Sequence, residues 1–263
     1  MIRTILVVGL GTMGRQIIDR ISSPIFNILV YDNNKDLLNS YLPASPSTKK
    51  LKDISELELY SNIHLVIEAV TEDLDTKIRL YNSLDRFLDK DTIIASNTSS
   101  LDPYLLAEGS GRSNKFITMH FFNPVDKIPF VELGVHFVKD VEIVDSICVL
   151  LSSLGIKYQF VEPASGFVVN KILFAMINSA ITLYFDSFGY SSFTIDSCLV
   201  NGAGFKSGPL KTADIIGLDV VLKILKNFYI EEKNDAYKPH YLFEKMVKYN
   251  KLGKKSGEGF YIW

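Results

Sequence analysis

A chain of 263 residues with 47% hydrophobic content has material for more than one core, and two domains are expected. A formal net charge of -2 carries no footprint for nucleic acid or an anionic membrane surface, so any partner has to be found by chemistry rather than bulk charge. Cys148 and Cys198 are too few for a disulfide framework and lack metal-ligand spacing; they read as two buried thiols in a reducing cytoplasm, with no metal site.

Ile2 to Val8 is an apolar, β-branched run closed by Gly9, which makes it a strand and not a secretory signal. Thr12 to Ile21 carries Met13, Ile17, Ile18 and Ile21 at helical spacing. Asn27 to Asp32, Ile63 to Val70, Thr92 to Ser96, Phe116 to His120, Pro129 to Leu133 and Ile156 to Val161 read as further strands. The stretch from Asp73 to Leu88 is an amphipathic helix, and the alternation predicts a parallel sheet covered by helices on both faces. Pro43 to Lys50 is polar and Pro-rich, hence a surface loop. Glu162 to Gly166 breaks the chain, and the domains are placed at 1–163 and 164–263. Beyond the break the pattern is helical, with Gly202, Gly204, Gly208 and Pro209 marking a bend. Ile172 to Phe185 is apolar but shorter than the roughly 20 residues a bilayer needs, so it reads as a buried or subunit-contact helix and not a membrane span.

Gly9-Leu10-Gly11-Thr12-Met13-Gly14 matches GxGxxG between a strand and a helix, where glycines let the backbone approach a pyrophosphate held on the helix N-terminus. Asp32 ends the next strand 18 positions after Gly14, placed to hold both ribose hydroxyls of NAD and to repel the 2′-phosphate of NADP. The alternative is a plain tight turn with Asp32 capping a helix.

Of the four histidines, His64 at a strand start, His136 in an apolar-polar stretch and His240 on a C-terminal helix have ordinary structural readings. His120 ends a strand, on the side where open α/β sheets bind ligands, and Phe121-Phe122-Asn123-Pro124 stops that strand sharply. Glu132 lies on another apolar strand, where a carboxylate is costly without a partner. A carboxylate on one ring nitrogen would leave the other as general base. Spacing by itself leaves open whether the two meet or are unrelated buried residues.

The segments GLGTMG, VIEAVTED, SNTSSL, HFFNP with Glu132, SGFVVNK, GPLKTADIIGLD and GKKSGEGFYIW occur in the order seen in 3-hydroxyacyl-CoA dehydrogenases, and the resemblance covers nearly the whole chain. It implies a Rossmann-type doubly wound α/β domain followed by an all-α domain for substrate and dimerisation, acting with NAD on a 3-hydroxyacyl thioester. By the same resemblance His120 is the base, Glu132 orients it, and Ser99 and Asn170 hold the reacting oxygen. Glu72, Lys77, Ser99, Asn123 and Lys255 lie near the cofactor, with Gly9, Leu10, Gly11, Thr12, Met13, Gly14 and Asp32 in the dinucleotide turn. Without the resemblance, Ser99 and Asn170 read equally well as capping or helix-contact groups, Lys77 as a solvated partner of Asp73, and Glu72 as a charge favouring a helix N-terminus.

Two departures stand out. Only 35 residues separate Asp32 from Glu68, where family members usually carry a longer helical excursion that contributes surface and basic side chains to the nucleotide end of coenzyme A; Lys49, Lys50 and Lys52 are candidates to supply some of that charge, the alternative being a solvated loop. After HFFNP, Asp126-Lys127-Ile128-Pro129 replaces the usual approach to the glutamate. An acyl carrier protein is therefore the alternative to coenzyme A as the carrier of the acyl group. A catalytically silent NAD-binding protein is a further alternative, against which His120, Glu132, Ser99 and Asn170 stand together; a dehydrogenase of free hydroxy acids would want a fixed cation that the sequence does not single out.

Overall fold

Short β-branched runs become strands here because alternate residues find apolar cover on opposite sides. The computed structural model describes residues 1–43, 45–135, 138–187 and 189–263; His136 and, from the segment read as a loop, Ala44 lie outside the described residues. The chain forms two units, Met1–Phe167 and Val168–Trp263.

The first unit runs β1 (Thr4–Val8), α1 (Thr12–Ile21), β2 (Asn27–Tyr31), α2 (Lys35–Ser40), β3 (Thr48–Lys50), β4 (Leu65–Glu68), α3 (Leu74–Asp85), β5 (Ile93–Ser96), α4 (Pro103–Gly109), β6 (Phe116–Phe121), β7 (Phe130–Gly134), α5 (Val141–Ser153) and β8 (Lys157–Phe160). Among the described residues these strands form one sheet of order β3-β2-β1-β4-β5-β6-β7-β8. Ile5 and Val7 of β1 pack with Ile28, Val30 and Ile67 toward Ile17, Ile18 and Ile21 of α1. Leu6 and Val8 point the other way, with Leu29 and Val66, toward Leu84 of α3. The period of two therefore separates two apolar layers, and helices cover both faces.

Two expectations about the strands need correcting. The sheet is not wholly parallel: β7 runs antiparallel to β6. The link from Phe122 to Pro129 is eight residues, too short for the crossover that a parallel neighbour requires. Nor is Pro43 to Lys50 all loop, since Thr48–Lys50 pairs parallel with β2 as an edge strand. Two lysines suit an edge, where they discourage pairing with another chain.

The second unit is helical: α6 (Val169–Thr182), α7 (Ser192–Ala203), α8 (Pro209–Ile216), α9 (Leu218–Glu232) and α10 (Tyr241–Lys248). Its core takes Phe174, Ile177 and Ile181 from α6, Leu218, Val221, Leu222, Leu225 and Phe228 from α9, and Phe243 from α10. Fully buried Asp214 accepts the N–H groups of Phe260 and Tyr261 and the Trp263 indole N–H, which ties the C-terminal segment to α8. The bend at Gly204 and Gly208 lies between α7 and α8, with Gly204 in the left-handed region. The thiols are not both buried: Cys148 is half-buried and Cys198, on α7, is exposed. No helix among the described residues is long and apolar enough to cross a membrane.

Candidate active site

The strand order reverses between β1 and β4, so a crevice opens beyond the carboxyl ends of those strands. The turn after β1 is built for close approach. Gly9 has φ +102°, and a Cβ there would stand 2.5 Å from the Ala69 carbonyl oxygen; one on Gly14 would stand 1.8 Å from the Gly9 carbonyl oxygen. Any larger residue at either place would open the contact between strand, turn and helix. Gly11 differs, since its Cβ would meet nothing within 4 Å. The backbone from Gly9 to Gly14, with Leu10, Thr12 and Met13 between, therefore presents an open face at the start of α1.

Asp32, immediately after β2, is 8% exposed. Its Oδ2 accepts the Leu10 N–H at 2.6 Å and its Oδ1 the Asn34 N–H at 2.8 Å. Two backbone donors fix the carboxylate and leave each oxygen a lone pair for a diol. Gly9, Gly11, Asp32, Asn33, Asn34 and Arg79 are among the residues lining a cavity of about 580 Å³ here. A glycine cradle, an open helix start and a fixed carboxylate beside one cavity fit the adenosine diphosphate half of a dinucleotide.

At the end of β6 the sheet register does what spacing could not settle. His120 stands directly opposite Glu132 of β7, and His120 Nδ1 lies 2.9 Å from Glu132 Oε2. Cross-strand partners in an antiparallel pair are held within side-chain reach, so the dyad is a product of the ladder. His120 is 5% exposed. Phe167 stacks on its imidazole at 5.2 Å between centroids, and Phe122 lies against it at 4.6 Å. Phe167 has φ +48°, a left-handed conformation that costs a non-glycine residue energy. These contacts immobilise the ring and leave Nε2 as the nitrogen not engaged by Glu132.

Next to it, the loop after β5 is clamped. Asn97 Oδ1 accepts the Phe121 N–H at 2.9 Å. Glu72 Oε1 accepts the Ser99 N–H (2.7 Å), the Ser100 N–H (2.8 Å) and the Thr98 hydroxyl (2.8 Å). On its other side the loop is held by Ser165, whose hydroxyl donates to the Ser100 carbonyl at 2.5 Å. Burial pushes the Glu72 carboxyl up, but the Lys77 ammonium and the Ser99, Thr98 and Ser100 donors outweigh it and hold the group below the usual carboxylate value.

Lys77 is not a solvated partner of Asp73. It is 1% exposed, donates to Glu68 Oε1 at 2.6 Å and lies 3.3 Å from Glu72 Oε2. Asp73 instead caps α3, accepting the Thr76 N–H. Glu68, Tyr81, Ser96 and Phe167 were missed by sequence reasoning. For Glu68 the signal was present: an acidic residue in a wholly buried strand, the same feature that singled out Glu132.

Exposed Asn123 accepts from Gln16 Nε2 of α1 at 3.0 Å, beside the dinucleotide turn's helix. Asn170 is the second residue of α6 and half-buried. Lys255 pairs with Asp219 at 2.5 Å within the helical unit. His64 accepts the Thr4 N–H, and His240 caps α10 by accepting the Leu242 N–H. Lys50 Nζ donates to the Leu38 and Tyr41 carbonyls at 3.0 Å each, at the end of α2. Lys49 lies over the Tyr60 ring.

Residues 166–263 match the family described as 3-hydroxyacyl-CoA dehydrogenase, C-terminal domain, and residues 42–159 match its NAD binding domain. A 3-hydroxybutyryl-CoA dehydrogenase of Clostridioides difficile is 34% identical, with 97% of each chain covered. The chain belongs to the 3-hydroxyacyl-CoA dehydrogenase family. A mitochondrial hydroxyacyl-coenzyme A dehydrogenase of Sus scrofa is 30% identical over 99% of this chain and 91% of its own. Among solved structures, the (S)-3-hydroxybutyryl-CoA dehydrogenase of Ralstonia eutropha superposes with a TM-score of 0.90 at 31% identity, covering 100% of this chain and 99% of the other. As a member of this family the protein is an NAD-dependent oxidoreductase, with a Rossmann-like first unit and a helical second one.

Proposed function

We propose that the protein interconverts a 3-hydroxyacyl thioester and its 3-oxoacyl form, and that the thioester is carried on coenzyme A. The observation that carries this reading is the His120–Glu132 pair at the end of β6, beside a Ser99 loop clamped by Glu72, in a chain of this family. NAD supplies the hydride acceptor. His120 Nε2 takes the hydroxyl proton as the carbinol C–H bond breaks, and Glu132 stabilises the imidazolium so formed. Ser99 holds the reacting oxygen, the role that the family resemblance gives to Asn170 as well. The start of α1, from Gly9 to Gly14, holds the pyrophosphate, and Asp32 the adenine ribose. Glu72 and Asn123 complete the cofactor's surroundings in the first unit, with Lys77 acting through Glu72. A homodimer through the helical unit is part of the proposal, supported by Ile172 and Phe193, exposed on α6 and α7. The cytoplasm suits two free thiols, one of them exposed.

Cofactor choice follows from Asp32, whose fixed carboxylate repels a 2′-phosphate. Asp32→Ala is expected to weaken NAD and narrow its advantage over NADP, measured as kcat/KM for each cofactor. Equal efficiency of the unmodified enzyme with both would refute the assignment.

Lys50 favours a second reading, with an acyl carrier protein as the donor, because its ammonium is spent on the carbonyls that end α2. The short stretch from Asp32 to Glu68 then offers little to grip the nucleotide end of coenzyme A, and loss of remote binding energy raises KM more than it lowers turnover. The test of both is NADH oxidation against one 3-oxoacyl group on coenzyme A, on pantetheine and on a carrier protein. Turnover on none of the three would overturn the reaction itself. A KM for the coenzyme A ester little below that of the pantetheine ester, improved by the carrier protein, is the result for the second reading. A low-micromolar KM found only with coenzyme A returns the substrate to acyl-CoA.

A further inference from the structure

Glu68 touches neither the dinucleotide turn nor His120 in any contact described above, yet it is 0% exposed and saturated with donors. Its Oε1 accepts the Lys77 ammonium at 2.6 Å and the Val70 N–H at 2.9 Å. Its Oε2 accepts the Tyr81 hydroxyl at 2.8 Å and the Ser96 hydroxyl at 2.7 Å. Burial, and then the Glu68 charge beside it, push the Tyr81 hydroxyl well above the usual tyrosine range, so it remains a donor. Four partners, one from the turn after β4, two from α3 and one from β5, leave the carboxylate one position.

That position matters because of what Lys77 touches next. Its ammonium spans Glu68 and Glu72, and Glu72 in turn receives the Ser99 and Ser100 N–H groups. A buried ion pair adds little net stability over an apolar pair of the same shape, but it holds geometry, since any displacement leaves a charge poorly solvated. We propose that Glu68 is a positioning residue for the Ser99 loop, acting through Lys77 and Glu72. The proposal rests on the role given to Ser99 above for its kinetic consequence, although not for its structural one.

In Glu68→Gln the amide keeps an acceptor for Tyr81 and Ser96 but removes the anion that shares Lys77. The ammonium then moves wholly onto Glu72, and the carboxylate that carries the loop shifts with it. Amide hydrogen exchange is expected to speed up on the order of tenfold at Ser99 and Ser100, with the amides of β1 and β2 unchanged. Turnover is expected to fall roughly 10- to 100-fold, because small misplacements of a substrate-positioning group are costly. In a Ser99→Ala background the same substitution should lose most of its effect on kcat, whereas a general loss of stability would act additively.

Exchange reads the loop whether or not the thioester reaction is correct. A protein inactive on every thioester, but with faster exchange at Ser99 and Ser100 in Glu68→Gln, would sink the reaction and leave the positioning standing. Unchanged exchange at those two amides overturns the positioning, as does a fully additive loss of turnover with Ser99→Ala. If Glu68→Gln does not fold, Tyr81→Phe removes a single donor from Glu68, and the same two amides should speed up roughly two- to fivefold; no change there would also overturn the proposal.

Discussion

Replacing His120 with alanine is expected to lower turnover by a factor on the order of 10² to 10⁴ while leaving the affinity for NADH nearly unaltered. The two halves of this result come from different parts of the sheet. His120 lies at the end of β6, opposite Glu132, and its loss removes proton transfer at Nε2. The cradle for the dinucleotide is made by the ends of β1 and β2, through Gly9, Gly11, Gly14 and Asp32, none of which contacts the imidazole in the geometry described. Steady-state kinetics paired with calorimetric titration of NADH separates the two. Glu132→Gln keeps the shape of the partner and loses its charge, so it should cost less turnover than the alanine variant and spare NADH equally. Turnover of His120→Ala within threefold of the unmodified enzyme would remove the histidine from the chemistry, and a collapse of NADH affinity would show that it serves the cofactor instead.

Lys77→Met is expected to destabilise the protein by about 3–5 kcal/mol, the cost of leaving a buried carboxylate without its counter-charge. The magnitude decides between two pictures of this residue. A lysine on an exposed helix face, paired with Asp73, would be worth only about 0.3–0.5 kcal/mol. Lys77 is 1% exposed and bridges Glu68, which is fully buried, to Glu72. Methionine fills a similar volume, so packing loss adds little and the deficit reports the charge. The measurement is the midpoint of urea unfolding at neutral pH, with Arg79→Met, exposed on the same helix, as the control expected to stay within about 0.5 kcal/mol. A Lys77→Met midpoint indistinguishable from that control would mean that the ammonium is solvated and the buried network does not hold.

The same network shows where a linear reading stops. The carboxylate of Glu68 was visible as an oddity in an apolar strand, but its side-chain partners come from β5 and α3, 9 to 28 positions away in sequence. The resemblance put Lys77 near the cofactor, but without it a solvated partner of Asp73 stayed open, because helical periodicity assigns a face only when the neighbours are apolar and a lysine that enters the interior to meet two carboxylates leaves no apolar trace. Thr48–Lys50 is equally silent, since a three-residue edge strand takes its identity from β2 rather than from its own propensities. The reversal of β7 is a different case. It was readable from the eight-residue link before it, had loop length been weighed against the crossover requirement.

What the sequence determined by itself is local or carried by a compact signature. The helix Thr12–Ile21 has the bounds its apolar spacing predicts, and the strand-turn-helix around Gly9 to Gly14 was legible from the glycine spacing itself, although only Gly14 is demanded by a local contact, with the Gly9 carbonyl, while Gly9 is demanded by the distant Ala69 carbonyl. The alternation of strand and helix, the helical second unit and the family followed from patterns that persist along the chain. Tertiary structure alone decided the pairings. Only the β6–β7 register brought His120 onto Glu132, where spacing had left two unrelated residues possible. Only the packing of α3 against β4 and β5 turned Glu72 and Lys77 from a helix-start charge and a solvated cation into the clamp on Ser99. The physical reason is the same in each case: a buried charge is tolerated only beside its partner, and the partner is chosen by which strands lie side by side, a property of the sheet and not of any one segment.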